Sequence, residues 1–386
     1  MSISADVTSS VSEKQNVTNL NPANEKQSAS LVEESELNAR NIVKATEKNE
    51  HGGSSVIAAL IVNFLVFLFK LIAALIGKSS ALLAESVHSF SDCGNEAMLI
   101  FGKWFSQRSD PDERHPQGWA NFRNVSSLIV ALLLFFVGGL YSVMNSAAKI
   151  EEIIAHGGFS PLDDTGFWLG AAAIVFALIV EGISLSVSFK EARAQMKLEG
   201  LEGLTMFQFW KKTKAAELAT VMTEDSLAIA GLIIAGIGLL IARITGNELY
   251  DAIGGAADGA FIAIGGIALA VKIASMLNEE APHRHIIEKM LNIVATYPGV
   301  KSVISYEITH KSEDFIHPSF KVEVDKVLQD ASDNDFFIED VINGIEKKLY
   351  EAFPQYTLQI WVEPDHRRGL DRVPNQGHLE PANYEE

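Results

Sequence analysis

Six long apolar runs decide what this chain can fold into. They extend from Ser54 to Gly77, Ala81 to Phe105, Val125 to Ala147, Gly166 to Phe189, Leu218 to Ala242 and Ala252 to Leu277. Each run is about 20 residues or longer, and at about 1.5 Å per helical residue that crosses a hydrocarbon core of about 30 Å. Six transmembrane helices are therefore expected. A soluble helical bundle would need a polar face on most of its helices. VIAALIVNFLVFLF and SSLIVALLLFFVGG offer none.

Orientation follows from the basic residues. Arg108, Arg114 and Arg123 follow the second run, and Lys190, Arg193, Lys197, Lys211, Lys212 and Lys214 follow the fourth. Excess Lys and Arg marks cytoplasmic loops, so these connections are expected inside and the Lys- and Arg-poor GKSS, KIEEIIAHGGFSPLDDTG and TGNELYD outside. Six spans then leave both termini in the cytoplasm, and a bacterial inner (plasma) membrane is the expected address. Residues 1–50 are polar and lack the short apolar core and small-residue cleavage site of a signal peptide, so none is expected.

Outside the spans the chain is acidic. Asp and Glu number 49 against 31 Lys and Arg, for a net charge of −18, which argues against nucleic acid as a partner. The lone Cys93 excludes an internal disulfide and a cysteine-rich metal cage. It adjoins Asp92, but neighbours on a helix point about 100° apart, and it is read as a buried free thiol. Residues 1–50 are expected to form a polar, largely disordered tail, with a weakly amphipathic helix from Ser30 to Lys48 as its one candidate element. Residues 51–280 are expected to form the transmembrane domain, residues 281–365 a small domain, and residues 366–386 a polar tail. In the small domain HIIEKMLNIVATY reads as a helix, VKSVISYEITH and FKVEVDKVL as strands, FFIEDVINGIEKKLYEAF as a helix and YTLQIWVEP as a final strand. That order predicts an α+β sandwich with an antiparallel sheet.

The second run carries an anomaly. AESVHSFSDCGNEAM places Glu85, His88, Asp92 and Glu96 within about three turns of an apolar helix. A charge at mid-bilayer costs about 2.5 to 3.5 kcal/mol or more, so such residues face a bundle interior or a wet cavity and tend to be functional. Glu85, His88 and Asp92 share one helix face. His88 and Asp92, at i and i+4, can hold one ion between an imidazole nitrogen and a carboxylate, a ligand set suited to first-row metals and zinc especially. A structural His–Asp bond between helices is the competing reading. The fifth run brings Glu224 and Asp225 to comparable depth, the fourth Glu181 and the sixth Asp258. Asp225 is the third expected ligand; Glu85 and Glu224 are candidates to support the ligands or relay protons, with a helix contact as the equal alternative for Glu224, and Glu181, a further candidate for that role, reads first as polar packing between helices. Asp258 reads as polar packing between helices.

AESVHSFSD, the loop HPQG, an acidic fifth span, YDAIGG, LNEEAP and the terminal α+β domain together resemble the cation diffusion facilitator family over residues 50–365. EDSLAIAGLIIAGIGLLIARITGNELYD and VEGISL are similar to the branch containing zinc transporter nine. The resemblance implies a homodimeric metal–proton antiporter with an all-α six-helix transmembrane domain and a ferredoxin-like cytoplasmic domain, and it implies that His88, Asp92 and Asp225 belong to the transport site. Val221 stands where most relatives have a fourth ligand, so water, Glu224 or another carboxylate has to complete the shell. Asp112 and His115 match the start of an accessory metal site whose later histidine is Trp119 here, and a structural turn is expected instead. Ile304, Trp361 and Glu363 occupy positions where relatives bind metal, so no binuclear centre is expected in the small domain. His283 and His285 read as helix-start residues rather than chelators.

The expected function is export of divalent cations, zinc foremost with manganese, iron, cobalt and cadmium as alternatives, in exchange for protons. No permanently bound cofactor is expected. A membrane-anchored scaffold that kept the fold and lost transport is the second reading. An enzyme is disfavoured, because no nucleophile–base pairing or phosphate-cradling loop is found.

Overall fold

The computed structural model describes residues 52–77, 80–108, 112–116, 118–159, 164–325 and 337–365. The expected tails at 1–50 and 366–386, and the helix from Ser30 to Lys48, lie outside the described residues. Leu60–Glu386 forms one compact unit. Six long helices cover the six apolar runs: α1 (Gly52–Gly77), α2 (Ser80–Arg108), α3 (Phe122–Ala155), α4 (Asp164–Leu198), α5 (Ala216–Thr245) and α6 (Leu249–Leu277). Four of them, α3 to α6, are long and apolar enough to cross a membrane. In α1 the described apolar stretch is shorter, Asn63–Ile76. The charged residues of α2 that raised the functional question also lower its hydropathy. Helices α2, α3 and α4 run past the apolar segments into polar turns, because helix propensity continues where hydropathy stops.

The packing of these helices is inverted relative to a water-soluble bundle. Leu75, Trp168, Ile183, Ile244 and Val271 face outward, while Lys70, Glu85, His88, Asn95, Thr220 and Asp258 are fully or almost fully buried. Apolar side chains gain nothing by hiding from lipid, whereas polar ones must find partners inside. Helix crossings are close because small residues line them. A Cβ on Gly238 of α5 would lie 2.9 Å from Gly254 Cα of α6. Helix α3 widens into a π turn at Leu134–Leu140, and there Gly139 meets the Ala263 backbone of α6, with a Cβ reaching to 2.6 Å.

Beyond α6 the chain forms an α+β domain: α7 (Arg284–Ala295), β1 (Val300–Ser312), β2 (Phe315–Val324), α8 (Phe337–Ala352), β3 (Thr357–Leu358) and β4 (Trp361–Asp365). Burial alternates strictly along β2, placing Ile316, Phe320, Val322 and Val324 on one face. Helix α7 covers them with Ile286, Met290 and Val294, and α8 with Val341, Ile345 and Leu349, each trio spaced four apart. Strand β2 begins at Phe315, five residues earlier than FKVEVDKVL implied. The sheet also departs from the antiparallel expectation. Strands β1 and β2 are antiparallel, but β3 and β4 run parallel to β2. The cause is the intervening α8: a helical crossover returns the chain to the same end of the sheet, so the next strand runs in the same direction.

Candidate functional site

Helix α2 turns its polar stripe into the bundle, where Glu85 and His88 are fully buried and Asp92 is 9% exposed. His88 Nε2 lies 3.7 Å from Asp92 Oδ2, beyond hydrogen-bond range. Both ring nitrogens of His88 and Asp92 Oδ1 are buried without a hydrogen-bond partner. The π turn of α3 passes over this pair: a Cβ on Gly138 would lie 3.4 Å from His88 Nδ1. A side chain there would meet Ile262 more tightly, at 3.2 Å, and would just touch the imidazole. Such widened turns recur at functional sites.

Helix α5 supplies the other acids. Asp225 accepts a 2.9 Å hydrogen bond from Ser184 Oγ of α4, and its second oxygen, Oδ2, is buried without a partner. Glu224 turns toward α2 and accepts from Asn95 Nδ2 at 2.6 Å. Val221 is half-buried one turn away. Among the described residues, no three His, Cys, Asp or Glu side chains converge closely enough to hold one ion. His88 and Asp92 are thus brought together on α2, and Asp225 is held against α4.

Lys70 is a residue the sequence reading passed over. It sits in the C-terminal third of α1, fully buried, and donates to Glu85 Oε2 at 3.0 Å and to Ser89 Oγ at 2.8 Å. Glu181 of α4 lies 3.9 Å from the same ammonium. A lone lysine in VNFLVFLFKLIAALIG was the available signal, since an unpaired ammonium does not stay at that depth.

The remaining sequence candidates are accounted for structurally. Asp112 Oδ1 accepts from the backbone N–H groups of Arg114 and His115 at 2.8 and 2.6 Å, which holds its carboxyl below the usual range. The His115 ring packs on Trp119 at 3.7 Å, as a structural turn requires. His283 stands at the N-cap position of α7 without a side-chain capping bond, and its Nε2 lies 3.0 Å from Glu199 Oε2. Trp361 is exposed, and Glu363 pairs with Lys321 at 3.3 Å. Cys93 is free but half-buried, more open than expected.

A family model for the cation efflux transmembrane domain matches residues 56–278, which contain every one of these buried acids. The chain belongs to the cation efflux family. The resemblance to the cation diffusion facilitators is borne out. It is 33% identical to metal tolerance protein C4 of Arabidopsis thaliana over 56% of this chain and 45% of that protein. It is 27% identical to the mitochondrial proton-coupled zinc antiporter SLC30A9 of Xenopus laevis over 71% of this chain and 46% of that protein. An uncharacterized transporter, MJ0449 of Methanocaldococcus jannaschii, is 26% identical over 69% of this chain and 84% of its own length. The chain thus matches under half the length of the first two relatives.

Proposed function

We propose that this multi-pass membrane protein exports divalent metal cations, zinc foremost, in exchange for protons. The observation that carries the reading is the set of orphaned lone pairs on His88, Asp92 and Asp225, buried on α2 and α5 within a bundle whose outer face is apolar. Buried polar atoms without partners are costly, and a cation that visits the site would offset that cost. Their separation supports alternating access: the ion would draw Asp225 from Ser184 toward the His88–Asp92 pair, and its departure would let α5 fall back on α4. Protons compete with the metal, because only deprotonated imidazole and carboxylate bind it.

In this reading all six long helices span the bilayer and the basic loops face the cytoplasm. The bacterial inner membrane, or its organellar equivalent, is the proposed location. Residues 51–280 act as the transport unit, and residues 281–365 as a ferredoxin-like domain that pairs two protomers. The name of the SLC30A9 relative supports both zinc and proton coupling. The decisive experiment reconstitutes the chain in liposomes and follows internal zinc and internal pH together, with manganese, iron, cobalt and cadmium as competitors. Zinc movement with opposite proton movement is expected. Metal flux without proton movement overturns the coupling. The lack of a three-residue ligand group among the described residues favours a second reading, a non-transporting scaffold, and no flux with any metal would establish it.

A further inference from the structure

We propose that Glu85 and Asp258 form a proton-binding site of their own, separate from His88, Asp92 and Asp225. Both side chains are fully buried, Glu85 on α2 and Asp258 on α6. They meet where α5 passes between them at Gly231. A Cβ at Gly231 would lie 2.3 Å from Asp258 Oδ1 and 2.7 Å from Glu85 Oε1, so these two oxygens are no more than 5 Å apart, the sum of those distances. Glycine is the one residue that lets the carboxyl groups face each other across the helix.

Partners for these oxygens are missing in a specific way. Lys70 takes Glu85 Oε2, and its remaining contacts are Ser89 and Glu181. Glu85 Oε1 and both oxygens of Asp258 are buried with no hydrogen-bond partner. Two carboxylates at such a distance in a dry interior do not both stay ionised; one proton between them removes the repulsion. Ionised Lys70, Glu85 and Asp258 together carry one net negative charge, and Glu181 beside the same ammonium adds to it, so a proton on the pair lowers an excess of negative charge. A metal ion fits this place poorly, because the Lys70 ammonium is already bonded to Glu85 and would repel it.

The charged groups nearest the pair are Lys70 from α1 and Glu181 from α4; His88 and Asp92 follow one and two turns along α2, and Glu224 and Asp225 lie about two turns from Gly231 along α5. The span of α3 from Val125 to Ala147 contributes no charge. Glu85 stands one turn from His88 on the same helix face. A proton arriving at Glu85–Asp258 therefore moves positive charge next to the metal ligands without occupying one. That coupling role rests on the antiport reading above; the proton site itself does not.

The test uses the full chain, as wild type, Asp258→Asn and Glu85→Gln, each checked for folding by size exclusion in detergent. Infrared difference spectra across a pH titration in metal-free buffer read protonated carboxyl groups directly. The wild type is expected to show a protonated-carboxyl band near neutral pH that Asp258→Asn removes and Glu85→Gln removes or shifts. In liposomes, Asp258→Asn is expected to bind zinc as the wild type does while releasing about one proton fewer per zinc. A band unchanged in both variants, or one displaced by sodium rather than by pH, overturns the proposal. If the wild type moves no zinc, the antiport reading fails and the infrared comparison still decides the proton site.

Discussion

Asn95 donates a 2.6 Å hydrogen bond to Glu224, tying the helix that carries His88 and Asp92 to the helix that carries Asp225. Both partners are buried. Interhelical hydrogen bonds in membrane bundles contribute about 0.6 kcal/mol on average and up to about 1.7, so Asn95→Ala should cost an amount in that range. Asn95→Asp should cost more, because it sets a second carboxylate against Glu224. Thermal melting in detergent reads both, and an Asn95→Asp protein as stable as the wild type would show that the tie carries no weight.

The buried polar groups of α2 and α5 were legible in the sequence because acids are conspicuous against apolar runs. HSFSD and EDS point to buried groups by their residue types alone. The partnerships were not legible, since hydropathy assigns a residue to a helix but does not set the rotation of that helix against its neighbours. Hence Lys70 escaped notice while Glu85 was noticed, and Asp258 read as packing. In the small domain, alternation located β2 yet could not set its start, because His317 and Pro318 within FIHPSF mask the period that Ile316 and Phe320 continue. The direction of β4 depended on α8 acting as a crossover, a relation between elements and not a property of either.

Asp92→Ala and Asp225→Ala should each abolish metal flux while leaving the fold intact. Each removal takes a buried acid with an unpartnered oxygen, so little hydrogen bonding is lost, although Asp225 also releases Ser184. Metal uptake into liposomes measures the first statement and melting temperature the second. Wild-type flux in either variant removes that residue from the transport site.

The β1–β2 hairpin should respond to pH in two opposing ways, through Glu313 in its turn and His310 in β1. Burial, with Glu217 and Asp314 nearby, pushes the Glu313 carboxyl up to about 7 from its ordinary 4.5. The folded form holds that proton more tightly than the unfolded chain, so this stabilisation is full below 4.5 and is lost as pH rises through about 7. Burial pushes the His310 imidazole down to about 4 from 6.5. Its stabilisation is full above 6.5 and is lost as pH falls through about 4. Glu313→Gln should therefore gain stability relative to the wild type as pH rises across the first window, and His310→Asn should gain as pH falls across the second. Melting temperatures over the pH series check both; a constant offset for Glu313→Gln would mean that its carboxyl stays ionised.

Close packing of α5 on α6 predicts a contrast between two glycines. Gly238→Ala would press a methyl into Gly254 at 2.9 Å, against backbone that cannot step aside, whereas a Cβ on Gly94 meets nothing within 4 Å. Overpacking costs about 1 to 3 kcal/mol, while Gly→Ala in an open helix position gains about 0.5 to 1 kcal/mol. Parallel melts of the two variants should move in opposite directions. Equal shifts would mean that the α5–α6 crossing is looser than its geometry.

His88 offers a reading of metal selectivity. Imidazole favours zinc and similar borderline ions, and an all-carboxylate set suits harder ions such as manganese. His88→Asp keeps a ligand on the same face of α2, one turn before Asp92, and adds a negative charge beside it. The shorter side chain also withdraws from Gly138, against which the imidazole now packs, so the change leaves room rather than forcing a clash. Flux should therefore persist while zinc loses its preference over manganese, by roughly tenfold if about 1.4 kcal/mol of differential binding resides in the imidazole. Competition between zinc and manganese in liposomes, run on both proteins, decides the matter. An unchanged preference would return His88 to the simpler role of a polar contact between α2 and α3, and would leave the carboxylates of Asp92 and Asp225 as the groups that choose the ion.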